Sequence, residues 1–406
     1  MSIMLTNCRP LKLWLGLSAT NRRRLAILFL SLLAVLALFH TIRGSTGLFS
    51  GGSDLKERYD EWRLFRQGIY PATGLADVKD RLLPYFRTTV YLPWALPMFG
   101  GLFILGGIWQ GKLLILIASI MGLAWIATIG WHCLRPWGRE AGWLGALAPL
   151  AIMGNSLAIS IGQFSIICMG LLSLQWVLLR RERQLSVALC WTIAMIKPQI
   201  ALFYALPLLR IPRLPVLALG SGVLLGLSAL ALVHTGTSPT ALAASWFGTL
   251  RFFIYDYNNN ILAGLLPLLS YMPLPLLLIS ITAVSLIIIS LANRLVRRAE
   301  ESPGSDLLDL AGVCAILGYV SFYHIVYDKI MLYPALLACL RISLRKPHFW
   351  NILLSALMAA TVWLPERVLK AFPDSRSLLV VIWSIVGLVL VRQIARSGRM
   401  ILPEAA

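Results

Sequence analysis

The chain reads as an all-α polytopic membrane protein, and three observations carry that reading. Charged residues make up 13% of its 406 residues against 58% hydrophobic, and its mean hydropathy is +0.78. Soluble globular chains carry about a quarter charged residues. Apolar runs long enough to span a bilayer, roughly 17–25 residues, recur from one end of the chain to the other. The basic residues, which leave a net charge of +19, sit in short clusters between those runs.

The clusters are Arg22-Arg23-Arg24, Arg135/Arg139, Arg180-Arg181-Glu182-Arg183, Arg210/Arg213, Arg294/Arg297/Arg298, Arg341/Arg345/Lys346 and Arg392/Arg396/Arg399. Basic residues gathered beside apolar runs mark cytoplasmic loops. Nucleic acid is not the partner expected of this charge, because no basic face is interleaved with exposed aromatics. The six cysteines form no CxxC pair and mostly lie inside apolar runs, as small buried hydrophobes do. Neither a disulfide nor a metal site is expected from them.

The first apolar run, Leu25 to Phe39, has no small-x-small cleavage site after it. It is expected to be a retained first helix (about 25–42) leaving a cytoplasmic N-terminus. The polar stretch 43–90 comes next, with Asp54, Glu57, Asp60, Glu61, Asp77 and Asp80 among the chain's seventeen acids. So long a loop between spans is usually functional. Within it Leu55, Tyr59, Trp62 and Phe65 recur at helical spacing, which predicts an amphipathic helix on the outer membrane surface.

Further spans are expected at 91–109, 112–134, 142–160, 163–179, 185–209, 214–234, 273–293, 307–323, 328–341, 349–364 and 377–392. Two of these conflict with the basic clusters. If 91–109 and 112–134 both crossed, Arg135 and Arg139 would fall outside; the breakers Pro93, Pro97, Gly100, Gly101, Gly106 and Gly107 single out 91–109 as re-entrant or half-spanning. Run 185–209 has basic residues on both flanks and Ile196-Lys197-Pro198-Gln199 in its middle, so it is expected to be a broken helical hairpin. The segment 261–272 reads as a short outer-leaflet element. About eleven crossings result. No internal repeat divides the chain, which reads as one integral membrane domain over 1–406.

Ionisable groups in spans are costly, about 2.5–3.5 kcal/mol at a helix centre, and are functional candidates by default. Here the anomalies gather toward the outer face: Asp54 after Gly51-Gly52-Ser53, Gly162-Gln163 at a turn, Lys197 at the hairpin tip, Arg251, Asp256 and Asn258 to Asn260, and Tyr323, His324, Tyr327, Asp328 and Lys329. Each has a plainer reading. Asp54 suits a solvated loop or an N-cap, Gln163 a helix end, Lys197 a snorkelling side chain, His324 an interface, Asp328 a pair with Lys329, and the asparagines a turn. Their convergence on one side of the membrane favours a site.

The order of these motifs resembles glycosyltransferase family 87. Ser53-Asp54-Leu55 with Tyr59, then Gly68-Ile69-Tyr70-Pro71 and Val90-Tyr91-Leu92-Pro93 with Pro97, is similar to that family's acidic first loop and Tyr-Pro-Pro element. The second residue of that element is Leu92 here. Gly162-Gln163 and Ile196-Lys197-Pro198-Gln199 look like its GQ and KP block, and Tyr323-His324 with Tyr327-Asp328 like its late aromatic-acid motif. The resemblance spans most of 50–340. It implies a GT-C-like bundle with re-entrant helices and a non-cytoplasmic first loop carrying amphipathic helices. It also implies a polyprenyl-phosphate-linked sugar donor, often of mannose, acting outside the cytoplasm. The location expected is a bacterial plasma (inner) membrane, with the site facing the periplasm or exterior.

The residues suit such a transfer. Attack of an acceptor hydroxyl on an anomeric carbon needs a carboxylate base, and Asp54 is best placed. A departing lipid phosphate needs positive charge, for which Lys197 comes first, then His324 and Arg251. Tyr59, Tyr91, Gln163, Asn260, Tyr327 and Asp328 are candidates for holding sugar or acceptor. A single displacement would invert the anomeric centre. No metal or other cofactor is expected. The other partners are a lipid or glycan acceptor and membrane lipids. Two alternatives stay open: a secondary transporter or lipid-linked-sugar flippase using Lys197 as a midplane site, and a non-catalytic scaffold whose 43–90 loop binds another protein.

Overall fold

The computed structural model describes residues 18–71, 91–243, 290–291, 293–299, 307–322, 324–364 and 375–397. The expected outer-leaflet element 261–272, most of span 273–293, and Arg251, Asp256, Asn258, Asn259, Asn260 and Tyr323 lie outside the described residues. So do residues 72–90 of the first loop.

The chain is an all-α polytopic membrane protein. Five of its described helices are long and apolar enough to cross a membrane, and shorter apolar helices pack among them. Helices suit this solvent because each satisfies its own backbone polar groups. Helix α1 (Ala19–Ser50) starts at Ser18, whose Oγ accepts from Asn21 N at 3.2 Å. Its hydroxyls at Thr41 and Ser45 donate to carbonyls four residues earlier, so neither faces lipid unpaired. The helix runs eight residues past the expected end at 42, because residues 43–50 offer no breaker strong enough to stop it before Gly51-Gly52. The expected loop 43–90 is shorter by that much, and Asp54 comes only a few residues after α1 rather than a dozen.

Helix α2 (Ser53–Arg66) is the expected amphipathic segment. Leu55 and Trp62 are buried, and Tyr59 and Phe65 half-buried, on the face that meets the bundle. Helix α3 (Ala95–Phe103) is only nine residues long, too short to cross. Trp94 Nε1 donates to Met195 O at 2.8 Å, which ties its start to the tip of the hairpin described below. The reading of 91–109 as a non-crossing element therefore holds. Helix α4 (Gly107–Leu134) makes the crossing instead.

Helices α5 (Arg139–Leu150) and α6 (Met153–Ile161) form one span with a break at residues 151–152, where a continuous helix over 142–160 was expected. Pro149 lies just before the break, and Asn155 Nδ2 donates to the Pro149 carbonyl at 2.7 Å. Glycines let the helices approach: a Cβ on Gly47 would sit 2.0 Å from Ser160 Oγ, and one on Gly145 would sit 2.2 Å from Gly130 O. Such small-residue contacts replace the hydrophobic driving force that lipid removes.

Helices α7 (Ser165–Arg180) and α8 (Gln184–Ala194) are antiparallel neighbours joined by a tight turn. At Lys197–Pro198 the chain reverses into the arm Pro198–Leu209. Lys197 meets Ser165 at the start of α7, whereas Tyr204 O accepts from Gln175 Nε2 at 2.9 Å. Those two α7 residues stand about 15 Å apart along the axis, so the arm returns along α7. Trp191 Nε1 bridges the two arms to Ala201 O at 3.2 Å. The run is broken at Lys197–Pro198, and the arm after the break lies along α7.

Helix α9 (Leu214–Thr235) climbs back to the α2 end, where His234 Nε2 lies 2.8 Å from Phe65 O. Helix α10 (Leu307–Ser321) leads to a 3-10 turn, Val326–Leu332, then α11 (Tyr333–Arg345), α12 (Phe349–Trp363) and α13 (Ser375–Ser397). The expected span 328–341 is thus displaced: Pro334, which lacks an N–H, sits in the first turn of α11. The clusters around Arg23, Arg139, Arg180 and Arg341 collect at one end. Arg23 lies 3.6 Å from Glu140, and Arg341 pairs with Asp309 at 2.9 Å.

Candidate functional site

The end of the bundle away from those clusters holds two polar groups that share one turn. The turn is Gly162 to Ser165. Gly162 ends α6 in the left-handed region, φ 79°, and a Cβ there would come within 2.5 Å of Leu55 Cβ. Glycine therefore both turns the chain and lets α2 dock, with Leu55 wholly buried against it. Docking brings the Asp54 carboxylate onto Gln163, whose Nε2 donates to Asp54 Oδ2. Ser53 Oγ lies 3.4 Å from the other carboxylate oxygen. Asp54 remains half-exposed, and Gln163 Oε1 is buried without a hydrogen-bond partner among the described residues.

Two residues on, Ser165 opens α7 and its Oγ donates to Asp328 Oδ1. Lys197 Nζ donates to the same oxygen at 2.7 Å and to Ser165 Oγ at 2.9 Å. His324 Nδ1 lies 3.2 Å from Asp328 Oδ2, and its Nε2 lies 3.1 Å from Gly318 O. Lys197 and Asp328 are 3% and 2% exposed, so this is a buried ion pair. The ammonium also stands 4.7 Å over the Tyr327 ring, and Tyr319 stacks on His324 at 4.7 Å. Lys329 does not pair with Asp328; it donates to Leu364 O at 3.0 Å, at the end of α12.

A third group supports Asp54 from behind. Arg58 pairs with Glu57 and Glu61, each at 2.9 Å, and its Nε lies 3.4 Å from Asp54 O. Its guanidinium covers the Tyr91 ring at 4.6 Å. Burial opposes the Arg58 charge, but Glu61, Tyr91, Glu57 and Asp54 outweigh it and hold its pKa above the ordinary guanidinium value. Burial and the Glu61 charge together push the Tyr70 phenol up. Burial likewise raises the Asp60 carboxyl, against the pull of Arg63 and Lys56. Tyr91 closes the wall: its ring meets Phe164, the residue between Gln163 and Ser165, at 6.1 Å.

Of the residues named from sequence, Asp54, Gln163, Lys197, His324, Tyr327 and Asp328 converge on this end, with Tyr91 beside them. Tyr59 points elsewhere. Five helical positions from Asp54, it lies on another face of α2 and packs on Trp62 and Phe103 at 6.0 and 5.2 Å. Arg251 and Asn260 lie outside the described residues. Sequence reasoning missed Arg58, Glu61, Ser165 and Lys112. Asp54, Arg58 and Glu61 at i, i+4 and i+7 form a polar stripe that helical spacing would have revealed. Lys112 Nζ donates to Phe49 O at 3.1 Å beside Gly52, closing the end of α1. A lone serine carries no comparable signal.

A sequence model described as glycosyltransferase family 87 matches residues 90–320, more than half of the 406-residue chain. The match includes Tyr91, Gln163, Ser165 and Lys197; Asp54 precedes it, and His324, Tyr327 and Asp328 lie beyond it. No curated protein and no solved structure matches.

Proposed function

The chain belongs to glycosyltransferase family 87 and is a membrane glycosyltransferase, and from that premise we propose how its site transfers a sugar. Asp54 is the general base. It takes the proton of an acceptor hydroxyl as that oxygen attacks the anomeric carbon, and the bond to the leaving phosphate breaks on the opposite face. The configuration inverts in that one displacement. The donor is a polyprenyl-phosphate-linked hexose or pentose of the mannose type, and the acceptor is a lipid or glycan.

What supports this reading most is the sharing of one turn: Gln163 holds Asp54, and Ser165, two residues away, holds the Lys197–Asp328 pair. Base and cation are thereby tied to one turn, and an in-line displacement needs them at opposite faces of the anomeric carbon, the base at the incoming hydroxyl and the cation at the departing phosphate. An ammonium has three donors. Ser165 and Asp328 take two of them, which leaves one N–H for a phosphate oxygen. Asp328 thus orients both Lys197 and His324, and Tyr91 and Tyr327 flank the sugar. The chain acts as a single integral membrane unit in a bacterial plasma membrane, with the basic end in the cytoplasm and the site facing outward.

The experiment is incubation of purified protein with labelled polyprenyl-phosphate sugars and membrane lipids. Labelled product from the native chain, and none from Asp54→Asn or Lys197→Ala, is the expected result. Undiminished transfer by a folded Asp54→Asn protein would overturn the assignment of the base.

A further inference from the structure

A cavity of about 120 Å3 lies in the half of the bundle nearer the basic end. Helices α4, α7, α10 and α11 wall it, and Tyr204 of the returning arm closes it. Ser173, the cavity residue of α7 nearest the site, is eight residues past Ser165, about 12 Å along the axis. The cavity opens to the surface beside the exposed Arg180, so it is a pocket rather than a sealed void. Its volume is several times the roughly 10–15 Å3 that a single water needs.

Its chemistry is one-sided. The walls are largely apolar, but two buried donors in the lining have no hydrogen-bond partner among the described residues: Trp176 Nε1 and Tyr204 Oη. Their side chains are 8% and 1% exposed. An indole N–H can only donate, so an occupant that satisfies it must bring acceptor oxygens. Ser173, Trp176 and Arg180 succeed one another at three and four residues on the same face of α7, and Arg180 is exposed at the end of that row. Arg341 feels the charges of both Arg180 and Arg345, so the rim is cationic even though Asp309 pairs with Arg341.

We propose that this cavity binds an anionic phospholipid, at a site separate from the transfer chemistry. Its phosphate lies at Arg180. Its ester oxygens accept from Trp176 and Tyr204, one turn of α7 (about 6 Å) further in, and the start of an acyl chain fills the space beyond. A free inorganic anion could meet Arg180 but would leave the apolar walls uncovered. Water would satisfy the two donors but not the walls. A lipid with a negative head meets the apolar, acceptor-bearing and anionic requirements together.

The full-length protein, purified in detergent, is titrated with phosphatidylglycerol, phosphatidylcholine or inorganic phosphate, and retained lipid and melting temperature are measured. Phosphatidylglycerol is retained and raises the melting temperature; phosphatidylcholine and phosphate are not and do not. Arg180→Gln weakens phosphatidylglycerol about fivefold, the effect of one surface charge. Tyr204→Phe keeps its ring and removes its donor, and Trp176→Phe removes the indole N–H while putting a smaller ring in its place. Tyr204→Phe leaves the lipid-free melting temperature near native, Trp176→Phe lowers it, and both reduce the lipid-induced rise. Ser173→Leu fills the cavity and abolishes the rise; if that protein fails to fold, the two Phe variants decide the matter. Equal retention of the two lipids, a rise reproduced by phosphate, or a rise untouched in both Phe variants would overturn the proposal.

Discussion

Lys197 Nζ lies 2.7 Å from Asp328 Oδ1, although 131 positions separate the two residues in sequence. Removing one partner of a buried pair leaves an uncompensated charge and costs about 3–5 kcal/mol, whereas replacing both by apolar groups is often neutral. Lys197→Met and Asp328→Leu should therefore each lower the melting temperature sharply, and the double variant should be more stable than either. A double variant as unstable as the sum of the two singles would refute a direct energetic link. Transfer activity should be lost in all three.

Asp54→Asn preserves shape and still offers an oxygen to Gln163. General-base catalysis contributes about 10²–10⁴-fold, so turnover with labelled donor should fall by that order while the melting temperature stays near native.

Gln163→Ala removes a hydrogen bond to a charged group, a contribution of about 1.5–3 kcal/mol, which corresponds to roughly 10–100-fold. Turnover should fall by that amount with little change in donor affinity. Gln163→Glu should be worse, since it places a second carboxylate against Asp54. If Gln163→Glu matches the native rate, the Gln163–Asp54 contact has no part in the reaction.

Arg58→Lys keeps the charge but loses the planar fork that meets Glu57 and Glu61 and the flat face that covers Tyr91. It should behave like Arg58→Ala, both losing stability by about 1–3 kcal/mol. Thermal melting of the two variants side by side checks this; full rescue by lysine would reduce Arg58 to a point charge.

Much of the fold was legible in the sequence because the apolar runs mark helices long enough to cross a membrane and the basic clusters constrain which runs can cross. Where they disagreed, at 91–109 and 185–209, the disagreement itself located the short α3 helix and the Lys197 hairpin. Helix ends were less legible. The apolar run fades near Ile42, but hydrogen bonding carries α1 on through Ser50, and only Gly51-Gly52 marks its true end. The site was legible as a set of misplaced polar residues, but not as pairs. Nothing along the chain says that Asp328 meets Lys197 rather than its neighbour Lys329, because that choice is made by packing of α7, the hairpin tip and the 3-10 turn after α10. Ser165 and Arg58 escaped for the same reason, their roles being defined by partners distant in sequence or on another turn of the helix.

The turn from Gly162 to Ser165 has an evolutionary corollary. Each residue added to a non-helical link lengthens it by up to about 3.5 Å. An insertion of one residue between Gln163 and Ser165 would swing Ser165 away from Asp328 while leaving Gln163 on Asp54. Substitutions in that stretch alter one partner at a time and can be compensated locally; a change of length cannot. Among functional descendants of this chain, insertions and deletions should accumulate in other connections and spare this one, so that its length is inherited more strictly than its composition.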